Sequence, residues 1–200
     1  MAPDPDRRRI LQLSLLATVA NTIPVGIAHA ADAKAETNIK AATSTDPARA
    51  FDFFFGSWKV RYRRLKERLL DNHDWEEFEG ECKVQPLLGG LAHMDESVVH
   101  RPGLPYRGLG LRSYDPAKNS WADWWLDTRN PHKLDAPMLG GFSDGVGTFY
   151  GQNKLRDQPI KVRGLWLDIS ATSVRWEQAF SPDDGKTWET NWVSSYMRVA

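Results

Sequence analysis

The sequence predicts an all-β protein in which about ten antiparallel strands form a meander that closes into a single barrel, preceded by a short N-terminal helix. Three observations predict this fold. Short apolar runs recur after Gly56, and turn residues rather than helical segments separate them. Large rings are abundant, since the 200-residue chain has 9 Trp, 8 Phe and 5 Tyr, all between Phe51 and Tyr196. A single cysteine, Cys82, excludes an internal disulfide framework, so the fold depends on its core.

Composition excludes several function classes. The 26 basic residues balance 26 acidic residues, so no net field recruits nucleic acid or an anionic membrane. Hydrophobic residues at 41% and charged residues at 26% are typical of a globular chain, which disfavours disorder and a membrane-spanning class. One cysteine cannot build a zinc site of several thiolates.

Residues 1–30 are predicted to be an export signal. Arg7, Arg8 and Arg9 precede a moderately apolar stretch that ends in Ala28-His29-Ala30, a small-x-small cleavage site. The arginines favour the twin-arginine type, with an ordinary secretory signal as the alternative. We therefore expect cleavage near Ala30, a periplasmic or secreted protein, and no membrane span in the mature chain.

The remaining chain divides into a linker and one domain. Residues 31–45 are rich in Ala, Thr, Lys and Asp without an apolar period, which predicts a flexible linker. Residues 46–200 show one composition regime and no fixed repeat, which predicts one β-barrel domain.

The domain opens with a helix signal. Asp46 can cap a helix that has Pro47 at its first position. Phe51, Phe54 and Phe55 then fall on one face at helical spacing before Gly56 ends the turn. We expect this face to pack against the sheet.

The strands follow from period-two alternation. Trp58, Val60 and Tyr62 alternate with charged residues, as in a half-buried first strand. Nine further runs between turn signals are predicted strands: 75–84, 91–99, 106–114, 121–126, 138–142, 146–150, 160–167, 174–180 and 188–199. Closing the meander would remove its exposed edges.

The last predicted hairpin contains a turn motif, Ser181-x-Asp183-x-Gly185-x-Thr187-Trp188. It resembles the Asp-box of sialidases and related propellers, in which side chains bond to turn backbone. A propeller needs several such boxes, and this sequence has one, so a sialidase-like propeller is not predicted. Asp183 and Gly185 are therefore predicted to be structural, with an ion site at Asp183 and Asp184 as the alternative.

Two further features carry a resemblance to a known superfamily. Gly56-Ser57-Trp58 stands at the start of the first strand, and Arg198 lies in the last one. This arrangement resembles the calycins, which include lipocalins, fatty-acid-binding proteins and nitrobindin-like barrels. The resemblance implies that Trp58 closes the barrel base and that Arg198 stacks over its ring.

The stretch from Phe51 to Arg198 also resembles a bacterial family of exported proteins of unknown function. That resemblance implies an architecture and no activity. The resemblance rests on these short sequence motifs: Phe51-Asp52-Phe53, Gly56-Ser57-Trp58, Pro86-Leu87-Leu88-Gly89-Gly90, Asp95-Glu96, Tyr114-Asp115-Pro116, Phe149-Tyr150-Gly151 and Arg175-Trp176-Glu177-Gln178-Ala179-Phe180.

The first functional hypothesis is ligand binding. A small closed barrel either fills its interior or leaves room for one ligand. We predict a secreted, lipocalin-like protein that binds a small hydrophobic or amphiphilic molecule, with an arginine at the cavity mouth for a polar or carboxylate head. The predicted ligand-binding residues are Trp58, Tyr62, Arg64, Trp124, Tyr150, Trp176 and Trp192. No cofactor and no nucleic-acid partner is expected.

The second hypothesis is an enzyme on the same barrel. His93 and Asp95 share a strand face, so with Glu96 they could perform acid–base chemistry while an arginine stabilises negative charge. Haem binding of the nitrobindin type needs a late histidine, and none follows His132, so haem is not expected. The other histidines lack metal-ligand spacing, so no metal is expected. A third hypothesis is an interaction protein with an aromatic surface.

Overall fold

A computed structural model describes residues 44–199, and these form a closed antiparallel barrel of ten strands. Each strand pairs with its sequence neighbour, and β1 pairs with β10 to close the barrel. The predicted fold class is therefore confirmed. The strands are β1 (Gly56–Leu65), β2 (Trp75–Leu87), β3 (Ala92–Val99), β4 (Tyr106–Asp115), β5 (Ser120–Asp127), β6 (Met138–Ser143), β7 (Val146–Leu155), β8 (Gln158–Leu167), β9 (Ser173–Ser181) and β10 (Glu189–Arg198).

The predicted export signal and residues 31–43 of the predicted linker lie outside the described residues. Within residues 44–199, no helix has the length and apolarity needed to cross a membrane.

The predicted N-terminal helix forms as two consecutive 3₁₀ helices, Pro47–Arg49 and Asp52–Phe54. Asp46 Oδ1 accepts a hydrogen bond of 2.9 Å from the Ala48 amide, which is the predicted cap. A third 3₁₀ helix, Leu88–Gly90, connects β2 to β3. The first two position Phe51 and Phe54 in the barrel core.

One end of the barrel is filled by a cluster of rings that we call the aromatic plug. Its centre is Phe51, whose ring centroid lies 5.0 Å from that of Trp121 and 5.4 Å from that of Trp166. Edge-to-face contacts dominate, as expected for aromatic quadrupoles. The plug comprises Phe51, Phe54, Trp58, His93, Trp121, Phe142, Phe149, Trp166 and Tyr196. These rings close the base of the barrel.

Arg198 fastens the plug to the last strand. Its guanidinium carbon lies 4.2 Å from the ring centroid of Trp58, and its Nη1 and Nη2 each donate a 2.6 Å hydrogen bond, to the carbonyls of Phe55 and Phe53. Gly56 has a φ of +116°, and a Cβ there would lie 2.8 Å from Arg198 Nη1. A side chain at position 56 would therefore disturb both the backbone and this contact.

We expect Arg198→Lys to lower the free energy of unfolding by ~1–3 kcal/mol, because lysine keeps the charge but loses the planar stack and the paired carbonyl bonds. Urea unfolding measures this change. Arg61→Lys is the matched control, since Arg61 is exposed on the same strand as Trp58. If the two variants were equally stable, the role assigned to Arg198 would be wrong.

Hydrogen bonds to the Asp183 carboxylate stabilise the turn between β9 and β10. Asp183 Oδ1 accepts from the amides of Lys186 and Thr187, and Oδ2 accepts from the Thr187 hydroxyl at 2.6 Å. The hydrogen bonds from Thr187 lower the pKa of Asp183 to about 2. Gly185 adopts a φ of +94°, where glycine is favoured. Both carboxylate oxygens therefore serve the turn itself.

Candidate functional site

Above the aromatic plug, the barrel contains a cavity of about 370 Å³. It opens at the end away from the plug, where lining residues such as Gln152 and Asn153 are exposed. The apolar part of its wall consists of Tyr62, Val99, Tyr106, Trp125, Met138, Val162, Trp166, Trp176, Phe180, Trp192 and Tyr196. Aromatic side chains therefore form most of the apolar wall.

A buried charged cluster lies at the base of the cavity, next to the plug rings Trp166 and Tyr196 that also line it. Asp95, Arg112 and Asp123 come from the adjacent strands β3, β4 and β5 and all point inward. Arg112 Nη1 donates a 2.5 Å hydrogen bond to Asp95 Oδ1, and its Nε lies 3.1 Å from Asp123 Oδ1. Gly110 lies beside this pair, and a Cβ there would collide with the Asp95 carboxylate. The glycine leaves room for the ion pairs.

Arg112 also contacts the plug. Its guanidinium carbon lies 5.1 Å from the Trp166 ring centroid and 5.6 Å from those of Phe51 and Phe54. One cation therefore bridges a floor of rings and two carboxylates that line the cavity.

The pKa values in this cluster reflect one cation between two anions. Burial raises the pKa of Asp123 to about 6, although the neighbouring Arg112 opposes that shift. Burial alone would lower the pKa of Arg112, but Asp123 and Asp95 hold it above its ordinary value. Arg112 is thus permanently charged, while Asp123 can take up a proton under mildly acidic conditions.

His93 belongs to the plug rather than to the cavity. Its ring is fully buried, 4.8 Å from the Phe51 centroid, and neither ring nitrogen has a hydrogen-bond partner. Burial, and then the charge of Arg112, lower the pKa of His93 to about 2. The imidazole is therefore neutral and packs as an aromatic ring.

The structure does not bring the three predicted acid–base residues together. Asp95 lines the cavity and binds Arg112, whereas His93 makes no hydrogen bond to it. Glu96 points outward and pairs with Arg107 at 3.0 Å.

Four of the seven predicted ligand-binding residues line the cavity: Tyr62, Arg64, Trp176 and Trp192. Trp58 lies in the plug, where its Nε1 donates to the Phe54 carbonyl at 2.8 Å. It closes the base, as the calycin resemblance implies, and does not line the cavity.

Trp124 and Tyr150 lie on the outer face, and here the expectation of ligand contact is corrected. The inward positions of β5 are Trp121, Asp123 and Trp125, so alternation turns Trp124 outward. On β7 the inward ring is Phe149, and Tyr150 is 51% exposed beside Trp188.

The mouth of the cavity is rich in arginine. Arg64 and Arg101 share the carboxylate of Glu76 at 2.7 Å and 2.9 Å, and together these ion pairs lower the pKa of Glu76 despite its partial burial. Arg129 pairs with Asp127 at 2.5 Å. Arg68, from the loop between β1 and β2, also lines the cavity.

Sequence reasoning missed Arg68, Trp125 and the Arg112 cluster. Trp125 follows Trp121 by four residues on β5, so the two side chains share a face. Alternation could therefore have predicted that Trp125 points inward once Trp121 was placed inside the barrel. Arg68 lies in a loop, where no periodicity indicates direction. Among residues 44–199, no group of three or more His, Cys, Asp and Glu side chains is placed to hold a metal ion.

No protein-family model and no curated protein matches this chain. Solved structures do. The S-type phycobiliprotein lyase CPES from Guillardia theta is 10% identical, with a TM-score of 0.51 over 75% of this chain and 90% of the lyase. A de novo designed fluorescence-activating β-barrel is 15% identical, with a TM-score of 0.40 over 75% of this chain and 97% of the design.

A third structure, EF1p2_mFAP2b bound to DFHBI, is 13% identical, with a TM-score of 0.40 over 76% of this chain and 99% of that chain. At these identities the likeness is one of fold. The likeness to the lyase therefore concerns the β-barrel architecture described above.

Proposed function

We propose that the protein is a lipocalin-like carrier that binds one small hydrophobic or amphiphilic molecule in the barrel. The observation that carries the proposal is the aromatic cavity of about 370 Å³ above a closed base. This volume lies within the range of small-molecule pockets, and a wall of rings with a few polar groups is typical of them.

Inward glycines explain why the rings leave space in the centre. A Cβ at Gly108 would collide with the ring of Trp125, and a Cβ at Gly164 would lie 3.3 Å from Trp176 Nε1. Both indoles therefore lie close against bare backbone on the barrel wall. A barrel filled by its own side chains would not need this arrangement.

The proposal places the protein outside the cytoplasm, as a member of the exported bacterial family it resembles. What supports this is the N-terminal sequence pattern from Arg7 to Ala30. Intact-mass measurement of protein from its own host tests it: a mature chain starting near Ala31 in the periplasm or medium is expected, and an uncleaved cytoplasmic chain would contradict it.

The enzymatic alternative is not part of the proposal. Of its three residues only Asp95 lines the cavity, and Arg112 already binds that carboxylate.

Native mass spectrometry of protein purified from its host tests ligand binding directly, since a bound small molecule is expected to add mass. The neutral dye N-phenyl-1-naphthylamine then serves as a defined probe whose fluorescence rises in an apolar site. If no small molecule copurifies and the dye does not bind, the proposed function is wrong.

Adjacent tryptophans on opposite faces provide a matched pair of variants. We expect Trp125→Ala to weaken dye binding by about tenfold, or ~1.4 kcal/mol, because it removes part of the cavity wall. Trp125 is 44% exposed at the mouth, so its removal should leave the fold intact. Trp124→Ala changes only the outer face and should leave the affinity unaltered. Equal affinities of the two variants would contradict binding in the cavity.

A further inference from the structure

Arg68 is the arginine at the cavity mouth whose charge has no partner. Among the residues that the structure describes, its guanidinium forms neither an ion pair nor a hydrogen bond, and its Nε is buried without a partner. It lies over the rings of Phe180 and Trp192, at 5.4 Å and 6.0 Å from their centroids. These contacts hold the guanidinium against the aromatic wall.

The surroundings of Arg68 are positive. Arg64, Arg101 and Arg129 are close enough that, after burial, their charges lower the pKa of Arg68 to about 10. Within residues 44–199, only Glu76 and Asp127 make ion pairs with these arginines. Arg68 and its three neighbours thus contribute four guanidinium groups, and the two carboxylates Glu76 and Asp127 pair with the neighbours. A further carboxylate, Asp135, lines the cavity but pairs with Lys133.

This balance predicts what the site would bind. A guanidinium partly withdrawn from water beside other cations is unfavourable, and a bound anion would relieve both costs. Arginine is suited to binding such an anion. Its planar guanidinium can donate hydrogen bonds to two oxygens of one anionic group while its face remains stacked on an aromatic ring.

The opposite end of the cavity has the opposite sign. Asp95 and Asp123 exceed Arg112 by one negative charge while both carboxylates are ionised. An anionic group would be repelled there and attracted at the mouth. The charge distribution therefore orients a ligand, with its apolar body toward the plug and its acidic group outward.

We propose that the ligand carries an anionic group, such as a carboxylate, sulfonate or phosphate, and that Arg68 binds it. This inference rests on the proposed function, since it assigns the chemistry of the ligand held in that cavity.

Two dyes that differ by one anionic group test the inference. 8-Anilinonaphthalene-1-sulfonate has the ring system of N-phenyl-1-naphthylamine plus a sulfonate. Both are titrated into the full-length protein and into Arg68→Gln. We expect the variant to bind the sulfonate dye about tenfold or more weakly, because a charge-assisted pair is lost. Its affinity for the neutral dye should be unchanged.

Arg63→Gln is the matched control. Arg63 lies on the outer face and pairs with Glu77 at 3.1 Å, so it loses the same charge without touching the cavity. Its binding of both dyes should equal that of the original protein. Arg68→Lys, which keeps the charge without the fork, should give an intermediate affinity for the sulfonate dye.

The outcomes separate the two proposals. If the neutral dye binds but Arg68→Gln leaves the sulfonate dye unaffected, the anion site is wrong and ligand binding stands. If Arg68→Gln weakens both dyes equally, Arg68 is only a part of the wall, and the inference is again wrong. If neither dye binds and no small molecule copurifies, the proposed function fails and the inference with it.

Discussion

Replacing Arg112 by methionine is expected to lower the free energy of unfolding by ~3–5 kcal/mol near neutral pH, the usual cost of breaking a buried ion pair. The variant leaves Asp95 and Asp123 buried, with no cation between them. Methionine would retain much of the apolar contact of Arg112 with the plug, so the loss reports mainly on charge.

The loss should depend on pH. Without Arg112, the pKa of Asp123 rises further, because burial and the charge of Asp95 both raise it and Arg112 no longer opposes them. The folded variant then holds a proton that the unfolded chain releases, so its stability falls as pH rises. We expect a smaller difference from the original protein at about pH 5 than at about pH 8.

Urea unfolding at several pH values measures both effects. Arg107→Met is the control, because its exposed pair with Glu96 should contribute less than ~1 kcal/mol. Adding Asp95→Asn and Asp123→Asn to Arg112→Met should restore much of the stability, since no buried charge then remains. A single variant as stable as the control would show that the charged cluster does not hold the barrel together.

The barrel was predictable because its strands alternate clearly. Trp58, Val60 and Tyr62 face inward and their neighbours Lys59 and Arg61 face water, so period two is visible in the sequence. Proline, glycine and aspartate at the connections mark where each strand ends. Local rules were sufficient because every connection joins neighbouring strands.

The site was less predictable, because alternation shows which residues share a face of a strand but not which face points into the barrel. It places Trp121 and Trp125 on one face and Trp124 on the other, but only the closed barrel shows which face is inside. Phe149 and Tyr150 present the same ambiguity, and Tyr150 proved to be outside.

Buried charge was the second obstacle. Charged residues on strands ordinarily face water, so Arg112 and Asp123 could not be distinguished in sequence from solvated side chains. Their partnership depends on the register of β4 and β5, which pairs Arg112 with Asp123. Arg68 depends on the path of a loop, which no pattern reports.

His93 is expected to make the barrel sensitive to acid. The pKa of His93 is about 2 in the folded protein, through burial and the charge of Arg112, against an ordinary value of 6.5. Between these values the unfolded chain binds a proton that the folded chain does not, so stability falls as pH falls, by up to ~1.4 kcal/mol per pH unit.

Asp123 acts in the opposite direction over part of this range. Its pKa is raised from 3.8 to about 6, so the folded protein gains stability as pH falls through that window. The contributions of Asp123 and His93 therefore largely cancel there, and the His93 loss should emerge below it.

His93→Phe isolates the histidine contribution. Phenylalanine suits a site in which His93 packs against Phe51 and Trp121, and it removes two buried nitrogens without partners. Urea titrations at a series of pH values measure the free energy of unfolding. We expect this free energy to fall less steeply toward acid pH in the variant than in the original protein. Asp123→Asn should steepen the loss between about pH 6 and 4, because the Asp123 proton no longer offsets the His93 contribution in that window. The two substitutions should therefore change the pH dependence of stability in opposite directions. If both changed it in the same direction, His93 would not be a neutral buried imidazole and Asp123 would not have a raised pKa.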